Sequence, residues 1–354
     1  MRHADDLLAW FDRHRRDLPW RRSRDPYRIW LSEVMLQQTR VETVLPYYER
    51  FLEHFPTVED LARAEITQVL AEWSGLGYYR RARQLHAAAQ RIAGRGSFPR
   101  TVEELLELPG VGAYTAAAVA SIAFGVPAPV LDGNVERVMA RWLALEGDTR
   151  TSGARRRLLE AAAGLLVPGR AGDSNQALME LGATLCTPRR PKCLLCPLAA
   201  GCRAANQEDP ESYPAPRRKR EVEKHLLVVA VVEDGPRVLL FRRPEESGLL
   251  AGTWELPWVE STEPEAALAA RYGGRWSLGP EVARVRHGIT HRDLEVQVHR
   301  AGLASGGEAA EGPEAGWFDA PGREALPLSS LVGKVLASLP APVAEAAPSR
   351  RRAR

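Results

Sequence analysis

Lysine is almost missing from this chain. Of 48 basic residues only four are lysines, Lys192, Lys219, Lys224 and Lys334, and the first 191 residues contain none. Over that stretch no lysine amine is available for Schiff-base chemistry. Cysteine is equally scarce: the 354 residues hold four, all between Cys186 and Cys202. Gathered within seventeen positions, they do not form a dispersed disulfide framework. Long apolar runs are absent as well. No stretch approaches the ~20 residues of a membrane-spanning helix, and the N-terminus, MRHADDLLAWFDRHRRDLPW, is too charged for a signal peptide. The expected location is the cytoplasm. The net charge of +3 is too small to imply a nucleic-acid partner by itself. What remains, 45% hydrophobic and 26% charged residues, is the composition of a soluble globular protein, long enough for two domains.

The most informative stretch runs from Leu108 to Asn134, LPGVGAYTAAAVASIAFGVPAPVLDGN. Gly110 and Gly112 permit backbone conformations closed to other residues. They also leave amide N–H groups bare at the start of a small-residue helix, where a phosphate can sit. With Glu103–Leu108 read as a preceding helix, the pattern is helix, hairpin, helix. Such turns also join ordinary helices. Asp132 precedes VERVMARWLAL, whose apolar positions recur at helical spacing. Its position suits a reactive carboxylate, and equally an N-cap.

Residues 4–20 read as one helix, followed by a basic loop with Arg21, Arg22 and Arg24. Asp25-Pro26 starts the next helix. From Ile29 to Thr39 its one ionisable side chain is Glu33, among apolar residues that cover most of the circumference. Burial raises the pKa of such a carboxyl and prepares it to donate a proton. The alternative is a structural glutamate paired with Arg28 or Arg40. The segment Trp73-Ser-Gly-Leu-Gly-Tyr78-Tyr79-Arg80-Arg81 mixes glycine, aromatic and arginine. That mixture suits a loop that wedges into DNA, and it also suits an interhelical turn with packed tyrosines.

Six, two and five residues separate Cys186, Cys193, Cys196 and Cys202. One C-x-x-C pair on a compact run fits zinc or a [4Fe–4S] cluster, and spacing alone leaves both open. The loop Thr-Pro-Arg189-Arg190-Pro-Lys192 would be held outward as a phosphate contact. Residues 203–224 are rich in charge and proline and read as a linker. Beyond it the pattern turns to strands. Leu226–Val232 and Arg237–Arg242 form a hairpin, Trp254–Val259 a third strand, and Arg284–Thr290 with Leu294–His299 a second hairpin. Pro264–Tyr272 and Ser329–Leu339 read as helices, and 341–354 as a disordered tail.

Several ordered motifs carry a family resemblance: LPWR at 18–21, WLSEVMLQQTRVETV at 30–44, GLGYYRRARQL at 75–85, LPGVGAYTAAAV at 108–119, VLDGNVERV at 130–138, and ELGATLC leading into the cysteines. The chain resembles the helix-hairpin-helix, Gly/Pro-Asp superfamily of DNA glycosylases, and within it the adenine DNA glycosylase (MutY) family. The resemblance implies a multidomain protein. An all-α helix-hairpin-helix domain over 1–202 would include the cluster region 186–202, a linker would cover 203–224, and an α+β Nudix-like lesion-recognition domain 225–340. It implies that Cys186, Cys193, Cys196 and Cys202 hold a [4Fe–4S] cluster. Glu33 and Asp132 would be the catalytic carboxylates, supported by Tyr114 and Asn134. Trp20, Arg21, Leu36 and Glu180 would line the adenine pocket. Gln38 and Tyr78 would penetrate the duplex, with Thr39, Gly110, Gly112, Arg189 and Arg190 also at the DNA.

The implied partner is double-stranded DNA with adenine opposite 8-oxoguanine or guanine, and the implied state a monomer near the nucleoid. The rival endonuclease III branch places a catalytic lysine where this sequence has Tyr114, which favours hydrolysis without lyase chemistry. In the C-terminal part, EAALAARYGGR at 265–275 lacks the carboxylates that hold magnesium in a Nudix helix, so lesion reading through Ile289-Thr290-His291 is expected instead of pyrophosphatase activity.

Overall fold

The computed structural model describes residues 2–207, 209–216, 221–244, 246–247, 250–289, 291–304 and 314–340. It divides into two compact units, Met1–Lys219 and Arg220–Arg354.

The first unit is helical: α1 Arg2–His14, α2 Pro26–Met35, α3 Val41–His54, α4 Val58–Arg63, α5 Ile66–Glu72, α6 Arg80–Arg95, α7 Val102–Leu106, α8 Ala113–Phe124, α9 Gly133–Leu143, α10 Ser152–Ala163, α11 Ala171–Thr184 and α12 Arg203–Asn206. Local chemistry sets many of the boundaries. The Asp25 carboxylate accepts from the amides of Tyr27 and Arg28, with Pro26 in the first turn. Thr57 with Asp60 and Thr101 with Glu104 form reciprocal capping boxes at α4 and α7. Gly96 and Gly125, both left-handed, close α6 and α8. Leu7 and Phe11 of α1 pack with Ala118 of α8, Val135 of α9 and Leu178 and Leu181 of α11 in one core. Close approach is possible because α8 presents alanines and α11 presents glycines: a Cβ on Gly172 would come 2.6 Å from the Ser121 carbonyl oxygen.

Three local expectations need correction. The first helix ends at His14, and Pro19–Arg21 is a separate short turn, since Pro19 cannot continue the backbone ladder. The Glu33 helix ends at Met35, so Gln37, Gln38 and Thr39 lie in the turn beyond it. The segment read as a linker from 203 begins inside the first unit, where Arg203–Asn206 is the helix α12. Ala204 of α12 is fully buried against the first unit, and the Tyr213 carbonyl accepts from Arg141.

In the second unit β1 Glu223–Val231, β2 Glu233–Asp234, β3 Arg237–Arg242, β4 Trp254–Glu255, β5 Trp258–Val259, α13 Pro264–Tyr272, β6 Arg275–Ile289, β7 Arg292–Ala304, β8 Ala315–Phe318, α14 Ala320–Glu324 and α15 Ser330–Ser338 follow one another. One sheet has the order β5-β1-β7-β6; in the other β3 pairs with β2, β4 and β8. β1 runs parallel to β7 and is buried on both faces, Leu227, Val229 and Val231 in one cluster and Val228, Ala230 and Val232 in another. The expected hairpin between 226–232 and 237–242 is therefore wrong in detail: Glu233-Asp234 pairs with β3 as a ribbon, the Val232 carbonyl accepts from the Leu239 amide at 3.0 Å, and β1 belongs to the other sheet. A strand with two apolar faces needs neighbours on both sides, which an edge hairpin does not supply. Trp254–Val259 is likewise two short strands in different sheets, parted at Leu256-Pro257. The 341–354 tail lies outside the described residues.

Candidate active site

A cavity of about 710 Å³ in the first unit brings together most of the singled-out residues: Trp20, Arg21, Glu33, Leu36, Gln38, Thr39, Tyr114, Asp132, Asn134 and Glu180 all line it. Leu131, Met179 and Arg16 complete parts of the wall.

Glu33 reaches it from the third turn of α2, a helix of which eight residues are buried. Burial pushes its carboxyl up to about 7, against a hydrogen bond that Tyr114 Oη donates to Oε2 at 2.6 Å. Neither Arg28 nor Arg40 pairs with it among the described residues. Tyr114 stands in the first turn of α8, directly after the hairpin. That links the Gly-rich turn to the carboxyl without a separate element.

Asp132 is an N-cap, and its carboxyl also faces the cavity. It caps α9, accepting from the Val135 amide at 2.7 Å, and its other oxygen accepts from Asn134 Nδ2 at 3.2 Å inside the cavity. Burial raises its pKa, while the Val135 and Asn134 bonds and Arg137 oppose the rise. The two carboxyls thus differ in kind: Glu33 has one donor and a strong upward push, and Asp132 has donors that favour its charged form.

Sequence reasoning missed the groups that hold these in place. Arg137 donates to Asn134 Oδ1 at 2.8 Å, to the Gly182 carbonyl at 2.9 Å and to the Cys186 carbonyl at 2.8 Å. Gly182 permits that closeness, since a Cβ there would lie 2.6 Å from Asn134 Cβ. Asn175, fully buried, donates to Ser121 Oγ and the Ala128 carbonyl and accepts from the Val130 amide, fixing the segment that delivers Asp132. Neither carries a signal in the sequence: Arg137 stands on a helix with other charged residues, and Asn175 on one with several polar ones. Arg16 was missed as well. Glu180 is fully buried; burial would raise its carboxyl, yet hydrogen bonds from Arg16 at 2.8 Å and Arg21 at 2.8 Å hold it down to about 2. This charged triad forms one side of the cavity, and Trp20, edge-on to Tyr48, forms part of another.

Gln38, which lines the cavity, and Tyr78, which does not, are exposed, and both adopt left-handed backbone, with φ of 59° and 51°. Among the hairpin glycines, Gly110 needs its identity twice over. Its φ is 75°, and a Cβ would meet Gln84 Cβ at 2.6 Å. Gly112 does not: its backbone is extended, φ −94°, with open space where a Cβ would go, which corrects the expectation that both glycines serve backbone conformation. Arg189 and Arg190 are exposed on the cysteine loop, the Arg190 amide bonded to Glu211.

The four cysteines are free thiols around one small cavity with Arg141 and Pro191. Burial raises the thiols of Cys193, Cys202 and, to about 12, Cys196. Among the described residues no three metal-ligating side chains converge closely enough for a single ion. Arg141, 2% exposed, moors the loop by donating to Cys186 Sγ at 3.3 Å and to the carbonyls of Thr187 and Pro188.

In the second unit His291 Nε2 sits 3.2 Å from Glu223, while Thr290 lies outside the described residues. Glu265, the one carboxylate of α13, is occupied by the Leu278 amide at 2.7 Å. Among the described residues no helix is long and apolar enough to cross a membrane.

Residues 31–163 match the model of the HhH-GPD superfamily base excision DNA repair protein, and residues 227–338 that of the NUDIX domain. The adenine DNA glycosylase of Arabidopsis thaliana is 40% identical over 306 residues, 75% of this chain and 48% of its own, so the chain spans about half the length of that relative. The adenine DNA glycosylase of Mus musculus is 38% identical over 379 residues, covering 88% of this chain and 73% of its own. A thermostable thymine-DNA glycosylase of known structure superposes with a TM-score of 0.53 at 32% identity, over 58% of this chain and 95% of its own. A likeness that runs through both units and across 73% of a relative's length makes this chain a member of the adenine DNA glycosylase family.

Proposed function

We propose that the chain is a monofunctional glycosylase that hydrolyses the N-glycosidic bond of adenine standing opposite 8-oxoguanine or guanine in duplex DNA. The observation that carries this reading is the shared cavity, in which a buried Glu33 held near pKa 7 faces the same space as the hydrogen-bonded Asp132. Adenine is a poor leaving group and must be protonated as its bond to C1′ breaks, leaving an oxocarbenium-like sugar. Glu33 donates that proton, and Asp132 stabilises the cationic sugar or bonds to it until water adds at C1′. Tyr114 and Asn134 orient the two carboxyls. Trp20, Arg21, Leu36 and Glu180 surround the extruded base, which leaves the stack because its reacting atom is otherwise unreachable. Gln38 and Tyr78 enter the duplex in its place, and Thr39, Gly110, Gly112, Arg189 and Arg190 meet the phosphates. His291 and Thr290 read the opposite base.

The cysteine set supports a [4Fe–4S] cluster held by Cys186, Cys193, Cys196 and Cys202, which would fix the basic loop. Iron and sulfide analysis should return about four of each per chain. The enzyme would act as a monomer on cytoplasmic, nucleoid-associated DNA.

Single-turnover assays on duplexes with adenine opposite 8-oxoguanine, beside thymine glycol duplexes, test the reading. Adenine release with strand breaks only after alkali is expected. Scission of the thymine glycol strand without alkali would move the chain to the bifunctional endonuclease III class, and binding without base release would make it a scaffold.

A further inference from the structure

Arg81, in the first turn of α6, is 8% exposed and has no carboxylate partner among the described residues. Its guanidinium is surrounded instead by backbone oxygen. Nη1 donates to the carbonyls of Val34 and Met35 at 3.0 Å each and to that of Gln37; Nη2 donates to Thr39 Oγ1 at 3.2 Å and to the carbonyls of Leu76 and Gly77 at 3.2 and 3.3 Å. Its carbon Cζ lies 5.4 Å from the Trp73 ring centre and 5.3 Å from that of Tyr78. Burial lowers its pKa to about 10, so it stays charged at neutral pH. One side chain thus grips the turn on either side of Gln38 and the turn that precedes Tyr78.

These two turns carry strained backbone: a left-handed glutamine and a left-handed tyrosine. Strain of that kind persists only where surrounding contacts over-determine it. The carbonyls of Val34 and Met35 lie in the last turn of α2, whose negative end would repel a phosphate strand. A planar five-donor fork answers several such oxygens at once, which an ammonium cannot do.

We propose that Arg81 is a positioning residue that locks the two turns together, so that Gln38 and Tyr78 enter the duplex as one unit. This rests on the duplex-entry role given to those residues above. The test is a mutant cycle read by base extrusion, using 2-aminopurine fluorescence in a duplex where it replaces adenine opposite 8-oxoguanine. Arg81→Lys keeps the charge and loses the fork. Extrusion should slow about tenfold, while affinity for undamaged duplex changes by less than about twofold. In a Gln38→Ala, Tyr78→Ala background the same change should alter extrusion by less than about twofold, because the effect travels through the missing residues. Equal slowing in both backgrounds, or none in either, overturns the proposal. If Arg81→Lys lowers the urea midpoint, the cycle is repeated in both backgrounds at a temperature where circular dichroism shows every variant fully folded, under the same criteria. A wild-type protein that gives no fluorescence change would sink the functional reading itself, an outcome distinct from an uncoupled cycle.

Discussion

On the acid role proposed for Glu33, a rise in pH lowers activity and stability together. Its carboxyl must be protonated to act, so the single-turnover rate should fall as pH rises through about 7. Glu33→Gln should reduce base release about 10²- to 10⁴-fold while leaving duplex binding intact; retained turnover would remove its acid role. Because its folded pKa lies above the ordinary value of 4.5, the site is stable below that value and loses stability as pH rises through 7. Glu33→Gln should therefore gain up to about 3 kcal/mol at pH 8 and nothing at pH 4, in urea titrations. Glu180 has the opposite sign. Held down to about 2 by Arg16 and Arg21, it contributes stability above pH 4.5 that disappears as pH falls through 2. Glu180→Gln, which leaves two arginines unanswered, should lose about 3 kcal/mol at pH 7 and progressively less in acid.

At the scale of elements, the hairpin separates two uses of glycine. Gly110→Ala must force a Cβ into left-handed backbone and against Gln84, so a loss of about 1–3 kcal/mol in stability is expected, with weaker DNA binding as a consequence. Gly112→Ala meets extended backbone and open space; its stability should change by less than about 0.5 kcal/mol, and any loss should appear only in duplex affinity. Equal destabilisation by both would contradict this division. The helices and the cavity residues were legible because caps, apolar periods and ordered motifs are local signals. The Arg137 and Arg141 bonds were not, since arginines on a helix with a polar face look solvated until the cysteine loop folds over them. The two-sheet arrangement was also illegible. β1 and β3 both read as apolar strands beside a turn, and only the burial of both faces of β1 decides which sheet takes it.

For the molecule as a whole, the two units divide the chemistry. The cavity and its carboxyls lie wholly within the first unit, and the Nudix-type fold of the second has its one α13 carboxylate engaged by backbone. Incubation of the full chain with magnesium and nucleoside triphosphates should yield no pyrophosphate; a rate above background would assign the second unit an activity of its own.

The parallel pairing of β1 with β7 has a consequence for synthesis. Glu223 finds its partner Arg292 only 69 residues later. At about 5–20 residues per second, a nascent β1 waits roughly 3 to 14 seconds with that edge of its backbone unpaired. Chains interrupted between β5 and β7 should therefore precipitate or be retained by chaperones, whereas those stopped before Leu226 should stay in solution.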